Sequence, residues 1–194
     1  MTRALVLASS SPRRRALLDD AGYTFTIAEP DVDETALPGE KPEELATRLA
    51  LAKARASARG SPRDACVLGA DTVVVIDGAL LGKPRDEAEA VEMLLRLAGR
   101  THRVLTGFAL YVPESQRHRR GRGRRARCAC TPSTARPPSA TPRAASRSTR
   151  PEPTRRRATA VASSLSISGS RTNVIGLPVE GSRRGCARLG VAPR

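Results

Sequence analysis

At 194 residues and 39% hydrophobic content, the chain is long enough for one domain with a real core and too short for two full ones. The net charge of +15 points toward a nucleic-acid binder, but its distribution excludes a uniformly basic domain. Residues 1–112 hold 12 Arg and 3 Lys against 16 Asp and Glu, whereas residues 113–165 hold 14 Arg against 2 Glu.

In chain order, "RALVLA" reads as a buried first strand, and "SPRRRALLDDAG" as a helix with Ser11 at the N-cap, Pro12 at the first helical position and Gly22 past the end. "YTFTIA" alternates like a second strand. A polar loop, "EPDVDETALPGEK", leads to the helical period of "PEELATRLALAKARASARG". In "CVLGADTVVVIDGALLGKP" the Asp77-Gly78 pair between apolar runs predicts a tight hairpin. "RDEAEAVEMLLRLAG" is a helix with an acidic start closed by Gly99, and "THRVLTGFALYV" a further strand. Strands and helices mixed in this order predict an α/β domain around a twisted sheet.

From residue 113 the pattern stops. Residues 113–165 contain no Lys, Ile, Phe, Tyr, Asp or Asn and a single Leu, and the four aromatic residues (Tyr23, Phe25, Phe108, Tyr111) all precede them. Such a stretch cannot bury enough apolar surface to offset chain entropy, so it is expected to be disordered. It lacks interleaved aromatics for base stacking, which argues against nucleic acid as a partner. Cys66, Cys128, Cys130 and Cys186 show no pair of CxxC knuckles and are read as free thiols in a reducing compartment. The run "ALVLA" is too short for a signal-peptide core and no segment approaches membrane-spanning length, so the expected location is cytoplasmic, with no membrane partner.

Several residues carry possible chemistry. A strand turning sharply into a helix aims free N–H groups at the turn, and Arg13 and Arg14 add forked donors there, as a polyphosphate grip requires; the plainer reading is a good helix start with solvated arginines. Asp71 interrupts the apolar run "VLGADTVVVI", and a carboxylate placed so needs a partner, a metal or a reacting group, or else backbone N–H donors at the strand's end. Lys53 lies on the apolar stripe of its helix, from which it either snorkels to water or reaches a phosphate. Together, two carboxylates (Glu34 and Asp71) able to hold a divalent cation and four cations (Arg13, Arg14, Lys53, Lys83) able to hold phosphate oxygens suit chemistry on a nucleotide polyphosphate. No GxxxxGK[ST] loop is present, which counts against an ordinary ATPase or kinase.

The motifs "LASSSPRRRALL", "PDVDE", "RLALAKA", "LGADTVVV", "GKP", "THRVLTGFAL" and "GSRTNVIGLP", in this order, closely resemble the Maf family of nucleoside triphosphate pyrophosphatases. The match spans residues 3–112 and returns at about 167–179. The resemblance implies a single Maf-like domain over residues 1–194, with a two-lobed α/β fold related to the inosine triphosphatases, a twisted mixed sheet and a nucleotide cleft. It implies hydrolysis of a nucleoside triphosphate to the monophosphate and pyrophosphate with Mg²⁺ or Mn²⁺. By position Asp71 matches the family's proton acceptor, Arg13 and Thr72 match positions linked to substrate choice in the dTTP/UTP branch, and Ser9, Arg14, Glu34, Lys53 and Lys83 fall on other cleft positions. A homodimer is left open.

The family's Asp-Lys-Ala-x-x-Tyr-x-Ile-Gln-Gly segment, whose Gln reads the base, is missing, and the Arg-rich stretch takes up about its length. Two compensating frameshifts in a GC-rich gene account for this: "TRRRATA", Thr154 to Ala160, can be encoded so that reading one nucleotide earlier gives Asp-Lys-Ala-Ala-Arg-Tyr-Gly. A genuine basic insert is the rival explanation. Residues 166–194 are expected to keep a partial match, while central strands and part of the base pocket are expected to be lost.

Overall fold

The computed structural model describes residues 2–82, 84–115, 117–122, 126–130 and 165–194. Three short strands and one long one build the first half: β1 (Leu5–Ala8), β2 (Phe25–Ile27), β3 (Cys66–Ile76) and β4 (Ala79–Leu81), with helices α1 (Pro12–Asp20) and α2 (Pro42–Ala58) between them. Helix α3 (Glu87–Leu97) leads to β5 (Thr101–Val112), then come β6 (Arg117–Arg122), β7 (Ala126–Cys130), β8 (Leu165–Ser168), α4 (Arg171–Ile175) and α5 (Val179–Arg188). One mixed sheet runs in the order β2-β1-β3-β5-β7-β8, with β4 on β3 and β6 on β5. Strand β1 is parallel to both β2 and β3, while β3 and β5 are antiparallel over nine residue pairs from Val67↔Tyr111 to Val75↔Arg103. The expected α/β class and every element predicted before residue 113 are present.

Strand alternation sorts the core into two layers. Leu5 and Leu7 of β1, Cys66, Leu68 and Ala70 of β3, and Phe108, Leu110 and Val112 of β5 pack with Leu18 of α1 and Cys186 of α5. Their neighbours Val6, Ala8, Val67 and Ala109 face the opposite way, onto Ala50, Leu51, Ala54 and Ala58 of α2. Helix α2 approaches the sheet unusually closely. A Cβ on Gly69 would stand 2.2 Å from the Ala50 carbonyl oxygen and 2.8 Å from the Ala54 nitrogen, and one on Gly107 would stand 2.5 Å from the Ala46 carbonyl oxygen. Two glycines, cross-strand neighbours of this face, therefore make the groove into which α2 sinks.

The stretch expected to be disordered is strand in part: residues 117–122 and 126–130 pair with β5 as β6 and β7. Ladder hydrogen bonds use the backbone alone, so a strand can form on the open edge of β5 without apolar side chains to bury. Residues 131–164, which include the rest of that stretch, lie outside the described residues, as do the side chains of Cys128 and Cys130. No helix among the described residues is long and apolar enough to cross a membrane.

Cys66 and Cys186 are free and fully buried, as the reading of unpaired thiols requires. Burial, helped by the neighbouring Cys186, pushes the Cys66 thiol up to about 12; burial also pushes Cys186 up to about 11, against a hydrogen bond with Tyr23. A thiol raised in this way favours the folded chain fully below its unfolded value near 8.5, and that contribution fades as the pH climbs through the folded value. Melting temperature is expected to fall as the pH rises from about 8.5 toward 11, and the Cys66→Ala/Cys186→Ala double variant to show a shallower fall. Parallel slopes for the two proteins in thermal unfolding at stepped pH would contradict this assignment.

Candidate active site

The cleft forms past the end of β1 and is lined by residues from both faces of the sheet. Strand β1 stops at Ala8 and the chain turns through three serines into α1. Ser11 sits at the N-cap as the sequence predicts, yet its side chain makes no capping bond; Ser9 Oγ accepts instead from the Ser11 N–H at 3.2 Å. The first turn of α1 is thus left without a side-chain cap from Ser11.

Along β3, Asp71 falls on the same face as Val67 and Gly69, toward α2, and Lys53 of α2 lies directly opposite. Lys53 Nζ is 2.5 Å from Asp71 Oδ1 and 2.8 Å from Glu34 Oε1. The ammonium and the Asp71 carboxylate are both buried, at 6% exposure each, so neither snorkelling nor a backbone-bonded strand end describes them. A buried charge is tolerated when paired in this manner. Glu34 comes from the loop before α2 and is partly exposed.

Thr72 and Ala70 point to the sheet's other face, where Arg14 of α1 reaches Thr72. Its guanidinium donates from Nη1 to Ser9 Oγ at 3.2 Å, from Nη2 to Thr72 Oγ1 at 3.2 Å, and from Nε to the Gly176 carbonyl oxygen at 2.8 Å. Burial is the largest influence on Arg14 and holds it below the ordinary arginine value, against the pull of Asp71 and Glu34; nearby Arg13 pushes the same way as burial. An arginine so placed stays charged and looks for an anion. Thr72 continues into a polar chain: its hydroxyl is 3.0 Å from Thr106 Oγ1, which donates to the Asn173 carbonyl oxygen at 2.7 Å. The Asn173 side chain, fully buried, accepts from the Thr106 N–H at 3.1 Å and donates to the Val104 carbonyl oxygen at 2.9 Å.

Two adjoining cavities open here. One of about 270 Å³ is lined by Ser9, Ser10, Ser11, Arg14, Glu34, Lys53, Asp71 and Thr72, which makes it strongly polar. The other, about 540 Å³, shares Glu34, Asp71 and Thr72 and extends along Leu45, Leu49, Val73, Leu80 and Leu81. A polar end able to take phosphates thus joins a mostly apolar end able to take a flat organic group.

Of the residues singled out from sequence, Ser9, Arg14, Glu34, Lys53, Asp71 and Thr72 come together in the polar cavity. Arg13 is exposed on α1 and lines neither cavity. Lys83 lies outside the described residues. Sequence reasoning passed over Thr106, Asn173 and the Gly176 carbonyl. Asn173 and Gly176 stand inside the quoted "GSRTNVIGLP" motif and Thr106 inside "THRVLTGFAL", but what sets Thr106 apart is its cross-strand register with Thr72.

A divalent cation suits the donor set. Glu34 and Asp71 already converge on one cation, the Lys53 ammonium, and among the described residues no group of three or more His, Cys, Asp or Glu is placed to hold a metal. Two carboxylates with the remaining positions left to phosphate oxygens and water are the usual arrangement for Mg²⁺ at nucleotides.

Fold and cleft together define an α/β protein with a polar cleft at the carboxyl end of the parallel strand β1, the end of such sheets at which ligands bind. The family model described as "Maf-like protein" matches residues 4–187, and the chain belongs to the Maf family. It is 59% identical over 106 residues to the dTTP/UTP pyrophosphatase of Symbiobacterium thermophilum, covering 55% of this chain and 54% of that protein. With the dTTP/UTP pyrophosphatase of Burkholderia pseudomallei it shares 53% identity over 115 residues, 54% of each chain. The chain therefore aligns with about half the length of the curated relatives it matches. Among solved structures, the Staphylococcus aureus Ham1 protein superposes on 66% of this chain and 72% of its own, with TM-score 0.43 and 17% identity.

Proposed function

We propose that the chain is a single Maf-like domain that hydrolyses nucleoside triphosphates, dTTP and UTP foremost, to the monophosphate and pyrophosphate in the cytoplasm. The observation that carries this reading is the pairing of a buried carboxylate, Asp71, with three phosphate-binding elements around one cavity: Lys53, Arg14 and the start of α1. The similarity to proteins named dTTP/UTP pyrophosphatase supports the substrate class.

In this mechanism the triphosphate enters the polar cavity and the nucleoside rests along the apolar one. Asp71 takes a proton from the attacking water, and its orientation is fixed by Lys53, which donates to Oδ1 and leaves the other oxygen for the water. Arg14, already held at three points, faces the phosphates without reorganising when charge develops on their oxygens. Glu34 and Asp71 would hold Mg²⁺ or Mn²⁺, which supplies charge neutralisation on the phosphate oxygens. By their place in the family motifs alone, Arg13 and Lys83 would be two further cations for the phosphates.

The test is pyrophosphate release from dTTP, UTP, CTP, GTP and ATP with Mg²⁺ or Mn²⁺, using this chain beside one whose reading frame is restored across residues 113–165. Release from dTTP and UTP ahead of the purine nucleotides, and its loss with EDTA, is the expected result. Absence of release from both chains would overturn the reading.

A further inference from the structure

We infer that Thr106 and Asn173 are positioning residues of this site: through Thr72 they fix the direction of the hydrogen bond that aims the Arg14 guanidinium into the cleft. The inference rests on the proposed phosphate chemistry for its consequence, and on proton bookkeeping for its substance.

A backbone carbonyl can only accept, so the 2.7 Å contact between Thr106 Oγ1 and the Asn173 carbonyl commits the single Thr106 hydroxyl proton to Asn173. Thr106 can then meet Thr72 only as an acceptor, which commits the Thr72 proton to the 3.0 Å contact between the two hydroxyls. What Thr72 shows to Arg14 is therefore always a lone pair, which receives Nη2–H at 3.2 Å. The four groups form a one-way chain, from guanidinium to threonine to threonine to carbonyl, with no member free to reverse. Such chains polarise one another and hold their donors more firmly than isolated pairs do.

Asn173 fixes the far end. Its side-chain amide binds β5 at two backbone positions, Val104 O and Thr106 N, so its own carbonyl cannot drift from the Thr106 hydroxyl. The two hydroxyls meet at one register position, Thr72 and Thr106 being cross-strand partners, and both Thr106 and Asn173 are buried. The same α4 segment delivers the Gly176 carbonyl to Arg14 Nε, so two of the three guanidinium contacts trace back to it.

The test uses the full chain, ¹⁵N-labelled, with the Arg14 Nε–H signal identified by its loss in Arg14→Lys. In the wild type one sharp, slowly exchanging signal is expected; Thr106→Val should broaden it or speed its exchange, and Thr106→Ser should restore it, while backbone amide signals of β1 and α2 stay in place. With dTTP, Thr106→Val should lose about tenfold in kcat/KM relative to wild type, the scale of a hydrogen bond to a charged group, and Thr106→Ser should regain it. A folded Thr106→Val with an unchanged Arg14 signal and unchanged kcat/KM overturns the inference. Should Thr106→Val not fold, the wild-type signal decides: rapid exchange there contradicts a fixed guanidinium, slow exchange supports it. A wild type that releases no pyrophosphate defeats the catalytic reading, and the Arg14 signal still tests the positioning role.

Discussion

Asp71→Asn is expected to lower kcat for dTTP by about 10²–10⁴-fold, the range for removal of a general base, while leaving triphosphate binding intact. Asparagine keeps the shape of the side chain and one oxygen for Lys53 Nζ, so the cavity should persist; what it cannot do is take a proton from water. Loss of a negative charge beside the incoming phosphates removes repulsion, so affinity for a non-hydrolysable dTTP analogue, measured in EDTA so that no metal bridge to Asp71 contributes, should hold or rise. The two measurements separate the roles. If turnover survives unchanged, Asp71 leaves the mechanism; if affinity collapses along with turnover, the carboxylate's task is to keep Lys53 and the cavity in place rather than to activate water.

Gly69→Ala is expected to produce the largest loss of stability among single-methyl additions. At 2.2 Å from the Ala50 carbonyl oxygen the new Cβ meets backbone, not the end of a flexible side chain, so α2 must lift away from the sheet. Overpacking on this scale costs about 3 kcal/mol, or roughly 6–12 °C in melting temperature for a chain of this size. Lys53 directly precedes Ala54, whose nitrogen is the next atom in the way, so the displacement reaches Nζ and Asp71 as well. Activity should fall further than the folded fraction does. Thermal unfolding alongside kcat/KM at a temperature where both chains are folded checks this, with Gly60→Ala, where nothing lies within 4 Å and φ is not positive, as a control for the loss of a glycine without a clash.

Much of this arrangement was legible before any coordinates. The elements up to β5 announced themselves because each carries its own punctuation: Ser-Pro and Gly22 around α1, Asp77-Gly78 between β3 and β4, Asp86 and Gly99 around α3. Asp71 and Lys53 stood out as charges in apolar company, and that is how the fold uses them. Three features were not legible, each for a physical reason. The closeness of α2 to the sheet depends on Gly69 and Gly107 sharing one face as diagonal neighbours on β3 and β5, with Gly69 opposite Ala109 and Gly107 opposite Asp71, a register that a linear pattern does not contain. Thr106 reads as one polar residue in an alternating strand until Thr72 is set opposite it. Strands β6 and β7 form from segments without a large apolar residue because an open edge offers backbone partners irrespective of side chain. Arg13, by contrast, drew notice for its charge next to Arg14, but one helical step of about 100° turns it to solvent.

The bond from Arg14 Nε to the Gly176 carbonyl joins residues 162 apart in the chain. That span sets an order of events during synthesis and refolding. Residues 1–112 contain β1, α2, β3 and β5 and can bring Lys53 against Asp71 through comparatively local pairing, whereas the guanidinium has no fixed aim until α4 has been made and docked. Between those two moments the molecule holds a formed Lys53–Asp71 pair and an unaimed guanidinium, so the phosphate chemistry proposed for the cleft waits on the closing of a loop 162 residues long.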